Sequence, residues 1–293
     1  MSLTATDLIS KARRLISDYP QVDNLAGALT SGGTTVQVAD STLYRKGWII
    51  SVDEEAMLIT DLPSGTTLTV VRGYRGTVAA SHASAANILQ NPLGTGADYL
   101  DGLNEGIRYL WPHFYVPQVD TTLVIQNLVS DYALPSKFPR GRSRVMRVMV
   151  KYPGAPQISW YGYREFEVVR NDDVLAGDVI RFTNTPPFVG SQVKVIGIAA
   201  PDTDPSMTLT VGETLPTLIP EVAFYCLPTY AAYYVLTGAE GQRDKTTRAT
   251  NIGPAAVTPQ ANAQLAFSLL QKFQGMKAEQ AMPWPASVIR RRF

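Results

Sequence analysis

Apolar positions near the start of the chain return at helical spacing. Leu8, Ile9, Ala12, Leu15, Ile16 and Tyr19 follow i, i+1, i+4, i+7, i+8, i+11, which predicts an amphipathic helix over 7–19 with Thr6 as its cap. From about Leu29 the runs become short and β-rich: TTVQVAD, WIISVDE, AMLITDL and TLTVVRG are separated by the breakers SGG, RKG and PSG. They predict a small β-module over 30–91. Helical spacing resumes at 98–111, where Leu100, Leu103, Ile107, Leu110 and Trp111 share a face and Pro112 ends the helix. TTLVIQNLV, RVMRVMVKY, QISWYGY, EFEVV, DVIRFT and SQVKVIGIAA then follow without a helical pattern, as in an antiparallel sandwich or barrel.

Two more helices complete the pattern. Residues 220–237 are apolar nearly all round, with Pro220 in the first turn, and Pro228 is expected to kink this central helix. EGQRDKTTRATNIGP reads as an exposed loop. Thr258 and Pro259 open the last helix, with a stripe of Leu265, Leu269, Phe273 and Met276. The expected fold class is α+β: a helical core bundle of about four helices from 1–29, 92–118 and 212–280, with two inserted antiparallel β domains at 30–91 and 119–211. Residues 281–293 read as an extended C-terminal arm, with two prolines and no amphipathic period.

Composition narrows the class. The length of 293 residues suits two or three units with their own cores. Charged residues make up 17 %, against roughly 25 % in ordinary soluble domains. A surface with so little charge is expected to be partly covered by partners. A net charge of +1 argues against a protein devoted wholly to nucleic acid, which usually carries a marked basic excess. The one cysteine, Cys226, leaves no internal disulfide and no CxxC site. The N-terminal sequence lacks the features of a secretory signal, and the uncharged stretch from Val222 to Ala239 is too short and polar for a bilayer, so no membrane is expected.

Tests for chemistry come back empty. A phosphate loop needs GxxxxGK[ST], and the dipeptide Gly-Lys does not occur. LGTGADYLDG has Tyr99 where a dinucleotide fingerprint needs its third glycine. There is no GxSxG, and His82 and His113 are the only histidines. Asp53, Glu54 and Glu55 cluster without the spacing of a calcium loop. The expectation is a non-enzyme with no catalytic residue, cofactor or metal.

Two basic groups stand out. Lys137, Arg140, Arg142, Arg144, Arg147 and Lys151 form a run without an acid, a candidate subunit-interface or DNA-facing set. Strict alternation along a strand puts Arg142 and Arg144 on one side and Arg147 on the other, so no single basic face is expected. Val288, Ile289, Arg290, Arg291, Arg292 and Phe293 combine guanidinium groups with an aromatic anchor, a composition that interfaces favour.

The stretch from Ser31, SGGTTVQVADSTLYRKGWIISVDEEAMLITDLPSGTTLTVVRGYRGTVAASHASAANI, resembles a module of tailed-bacteriophage virion proteins. The pattern is carried by Gly47, Glu54, Glu55, Met57, Ile59, Leu68, Val70, Arg72, Gly73, Gly76, Thr77, Ala79 and His82. Where the family often has a further glycine, this chain has Ala85 or Ala86. The resemblance implies that Met57 and Ile59 fill a small core, that Gly73 and Gly76 make tight turns, and that Glu55, Arg72 and His82 serve structure. RGYRGTVAASH then reads as a structural closure, not a phosphate cradle.

The whole architecture is similar to head-to-tail connector (adaptor) proteins. That similarity implies a dodecameric ring under the portal, with Val288 to Phe293 as the portal-docking arm. It further implies a tail or stopper partner below, transient non-specific DNA in the channel, a place in the neck of the virion and assembly in the host cytoplasm. Two rivals remain. A tail-tip protein would bind a host glycan through Trp160, Tyr161 and Tyr163, although no internal repeat of the fibre kind is present. A virion lysin would need an acid/base constellation that the sequence lacks.

Overall fold

In the computed structural model, which describes residues 3–18, 20–53, 55–155, 159–169, 178–183, 187–210, 214–218, 220–247 and 259–283, helix α1 (Ala5–Leu15) begins earlier than its apolar spacing suggests. The reason is the cap. Thr4, not Thr6, accepts the Asp7 amide at 3.2 Å, and the Asp7 carboxylate accepts the Thr4 amide at 2.9 Å, a reciprocal capping box. Asp7 in the first turn and Arg13 and Arg14 in the last also oppose the helix dipole.

The chain divides into two units. The first comprises the described residues within Met1–Gly106, Leu209–Leu215 and Phe224–Met276; the second comprises those within Ile107–Thr208, Pro216–Ala223 and Lys277–Phe293. In the first unit, β1 (Gln21–Asn24), β2 (Thr35–Gln37), β3 (Ile49–Val52), β4 (Glu55–Ser64), β5 (Thr67–Val71) and β6 (Asn87–Gln90) form an antiparallel sheet in the order β1-β6-β3-β4-β5-β2. Strand β1 extends the module upstream of residue 30. QVDN carries a single apolar residue, and Val22 is itself exposed, so alternation could not reveal it. The core of the module is aliphatic, with Val36, Ile50, Val52, Met57, Ile59, Leu68 and Ile88 at 0–1 % exposure.

The helices of this unit make close pairwise contacts. Helix α2 (Gly96–Arg108) opens on a second reciprocal cap between Thr95 and Asp98. It approaches α3 (Leu227–Thr247) so closely that a Cβ on Gly102 would lie 2.9 Å from the Ala231 Cα. Helix α1 also packs on α3. The Tyr230 ring of α3 meets Phe273 of α4 (Pro259–Glu279) at 5.0 Å between centroids. Asp18, buried just beyond α1, accepts from Arg13, the Leu93 amide and the Tyr99 hydroxyl, which ties α1 to the approach of α2.

Several expectations about the helices need correction. Pro228 sits in the first turn of α3, where the missing N–H leaves no helical bond unmade, so it does not kink the helix. The segment from Glu221 to Tyr225 is a separate 3-10 turn. Residues 240–247 continue α3 instead of forming the expected loop; Gln242, Arg243 and Lys245 are good helix formers. Helix α2 ends at Arg108, before Trp111, and turns precede the cis Trp111–Pro112 peptide.

The second unit is built on β7 (Val116–Val124), β8 (Asp131–Ala133), β9 (Ser143–Lys151), β10 (Tyr161–Tyr163), β11 (Phe166–Val169), β12 (Val179–Phe182) and β13 (Gln192–Ala199). One sheet runs β10-β9-β13-β7 and the other β11-β12-β8, with every pair antiparallel. Leu123, Val145, Val148, Val193 and Val195 of the first sheet share a core with Tyr132, Ile180 and Phe182 of the second, as in a sandwich. Phe182 is gripped by T-shaped contacts from Tyr132 and Tyr163, at 5.7 and 5.3 Å. Among the described residues no helix is long and apolar enough to cross a membrane.

Candidate functional site

The conspicuous charges of the first unit lie where β4 and β5 meet the segment 72–82. Glu55, at 1 % exposure, receives the Arg72 guanidinium in a two-point contact: Nε donates to Oε1 and Nη2 to Oε2, each at 2.6 Å. The Gly73 and Ala80 amides add hydrogen bonds of 3.0 Å to the same carboxylate. Arg72 Nη1 donates to the Thr30 and Gly33 carbonyls at 2.7 Å each, and Nη2 also donates to the Ala80 carbonyl. All five N–H donors of the guanidinium are therefore used, and none is left for a phosphate.

His82 completes the closure. Its Nε2 lies 3.0 Å from Glu55 Oε2 and its Nδ1 2.7 Å from Asp53 Oδ2. Its backbone pairs in both directions with Leu29, through bonds of 2.8 and 2.9 Å. Burial by itself would raise the Glu55 carboxyl. The Arg72 guanidinium, and after it the Ala80 amide, His82 and the Gly73 amide, outweigh that and bring it down to about 2. Gly73 adopts φ 61° and Gly76 φ 80°, turning the chain where a side chain would be strained. Met57 and Ile59 lie in the core directly behind. The arrangement fastens the strand ends to the segment before β2; its polar atoms point at one another. Glu54 lies outside the described residues, and among those described no group of three or more His, Cys, Asp or Glu could hold a metal ion.

The basic run divides between residues that precede β9 or open it and residues on its outward side. Arg140 lies 3.7 Å from Asp178, and Arg142 makes a two-point contact with Asp202. Lys137 donates to the Val119 carbonyl of β7. Arg144, Arg147 and Lys151 are on β9, and here the expected alternation fails. The register shifts between Ile196, which faces Arg147, and Gly197, which faces Val145, so Met146 is an extra residue in a β-bulge. Val145 and Val148 consequently both point into the core, and Arg144 and Arg147 both point out. The bulge demands a glycine opposite: a Cβ on Gly197 would lie 2.3 Å from the Arg144 carbonyl oxygen.

The outward positions of β9 thus run Arg144, Arg147, Met149, Lys151, and Lys194 stands opposite Met149 on β13. Lys194 was absent from the basic run because it is 43 residues further along the chain; only the pairing register brings it in. Its ammonium sits 4.2 Å from the centre of the Trp160 ring.

The aromatic run at 160–163 is also dispersed. Trp160 is held by Lys194, Tyr163 packs on Phe182 at the core, and Tyr161 joins Tyr152, which also contacts the exposed Phe188. Val288, Ile289, Arg290, Arg291, Arg292 and Phe293, the expected docking arm, lie outside the described residues. No family model matches the chain, and no curated protein matches it.

Proposed function

We propose that this chain is a structural virion protein of a tailed bacteriophage, a ring-forming head-to-tail adaptor that docks on the portal and links it to the tail. The observation that carries this reading is the closure at 72–82. Its resemblance to a phage virion module would have little weight if Arg72, Glu55 and His82 formed an open site. They instead spend their hydrogen bonds on one another and on the strand ends, the role that the resemblance implies.

In this reading α1 to α4 form a helical core bundle with the two β regions inserted in its connections. Repeated head-to-tail contacts between copies close the ring, and the channel passes DNA without reading its sequence. Residues 288–293 dock on the portal. The protein works through interfaces and not as an enzyme, and its place is the neck of the virion.

Native mass spectrometry of the full chain mixed with purified portal tests the proposal. The expected product is a ring of copies on portal, lost when residues 288–293 are deleted. A monomer or trimer that ignores portal overturns it.

A second reading has a specific observation in its favour. Tyr152, Tyr161 and Phe188 form an exposed aromatic group at the edge of the four-stranded sheet, with Phe188 at 73 % exposure. Such rings suit the apolar faces of sugars, as a tail-tip protein binding a host glycan would need. Glycan binding lost in Tyr161→Ala would favour it over the adaptor.

A further inference from the structure

We infer that the outer face of the β10-β9-β13-β7 sheet is a binding surface for the phosphate backbone of duplex DNA, centred on Arg147, Lys151 and Lys194. The inference rests on the adaptor reading only for the source of the DNA. The surface itself follows from the strand register.

Arg147 faces Ile196, Met149 faces Lys194, and Lys151 faces Gln192, so these residues share the side of the sheet opposite the core. Arg144 enters the same row because the bulge at Met146 resets the alternation. Gly162 of the edge strand has no side chain, and the Arg147 guanidinium lies across it: a Cβ there would be 3.3 Å from Nη2. The outward positions of β7 hold Pro117, Val119, Thr121 and Val124, and those of β13 hold Gln192, Lys194 and Ile196, while Ile198 beyond them is buried. None of the outward strand positions named carries an acid. The nearby carboxylate of Asp120 turns away from this face, buried and bonded to Thr122.

The chemistry of the face selects its occupant. From Arg147 to Lys151 the cations extend over about 13 Å of strand, and duplex DNA presents a charge roughly every 1.7 Å along its axis. Protein interfaces deplete lysine and favour large aromatic anchors at their centres. On this face Lys151 and Lys194 stand with Arg147 among mostly small or aliphatic outward neighbours, and the two lysines are what a protein interface would deplete. Its aromatic ring, Trp160, is engaged by Lys194, so the face offers no row of stacking platforms for unpaired bases. Contacts limited to phosphates give binding without sequence preference.

The test uses the full chain and fluorescence anisotropy with two labelled duplexes of unrelated sequence. Equal affinity for both is expected, with a drop of roughly 40-fold between about 50 and about 200 mM salt for three phosphate contacts. The triple variant R147E/K151E/K194E should lose this binding while keeping its unfolding midpoint, and R147K/K151R/K194R should retain it. Salt-insensitive binding, no binding by the natural chain, or undiminished binding by the charge-reversed variant overturns the inference. So does a charge-reversed variant that keeps DNA binding but fails to assemble with itself or with portal, which would make the face a protein interface. A ring that forms on portal without DNA affinity would sink this inference alone. DNA affinity in a chain that ignores portal would sink the adaptor reading and leave the surface standing.

Discussion

The charges around Glu55 and those around Arg147 are arranged on opposite principles. In the first unit Glu55 and the Arg72 side chain are almost fully buried, and their donors and acceptors are matched within the closure. In the second unit Arg147 and its neighbours stand on an outward sheet face, aligned by a bulge and without an acid beside them on the strands. Buried, matched charge fixes a fold, since removing one partner strands the other away from water. Aligned, outward charge adds little to stability and is available to something else.

The sharpest way to break this contrast is Arg72→Ala. It leaves Glu55 buried without its guanidinium partner and should cost about 3–5 kcal/mol, read as a lower midpoint in urea unfolding. A loss no larger than that of a surface arginine would mean that the closure is not what holds the module.

Acid probes the same cluster without mutation. The Glu55 carboxyl is depressed from 4.5 to about 2 in the folded protein, so its stabilisation is complete above pH 4.5 and is lost as pH falls toward 2. The expected loss over that window is about 3 kcal/mol, and Glu55→Gln should flatten this part of the stability curve. An unchanged curve in that variant would assign the acid sensitivity to other carboxylates.

Gly197→Ala carries the comparison to the sheet face. Its Cβ cannot coexist with the Arg144 carbonyl at 2.3 Å, so the bulge must shift, at a cost of about 1–3 kcal/mol. Unlike the charge-reversed variant, it should lower both the unfolding midpoint and DNA affinity, because it disturbs the register that aligns the cations.

The smallest effect is expected at Ala85, which holds φ 66°, a left-handed conformation that favours glycine. Ala85→Gly should stabilise the module by up to about 1 kcal/mol, offset in part by the greater freedom of the unfolded chain. A lower unfolding midpoint in that variant would contradict the relief of strain.

What could be read from the sequence followed the physics of each segment. Strands β3 to β5 were legible because their apolar residues face one small core and their turns carry glycine. The stripe of α4 was legible in part: Leu269 and Phe273 lie one turn apart on a buried face, whereas Leu265 is exposed. Strand β1 was hidden by its exposed, polar residues, and the extension of α3 by a polar sequence that reads as a loop. The contacts among Arg72, Glu55 and His82 carry no local periodic signal and arise only when the strand ends meet. The cationic face was not: alternation argues against it, and only the unpaired Met146 reverses that conclusion. Lys194 could be assigned to it only after the strand register was known.

The central structural claim is that the two charge clusters have separable roles. Its most direct test measures urea unfolding and duplex-DNA anisotropy together on the full-length protein, on Arg72→Ala and on R147E/K151E/K194E. The account predicts that Arg72→Ala loses stability but, under conditions where it remains folded, binds DNA as the natural chain does, while the triple variant keeps its stability and loses DNA. If Arg72→Ala abolishes DNA binding while still folded, or if the triple variant unfolds as readily as Arg72→Ala, the division between closure and surface is wrong.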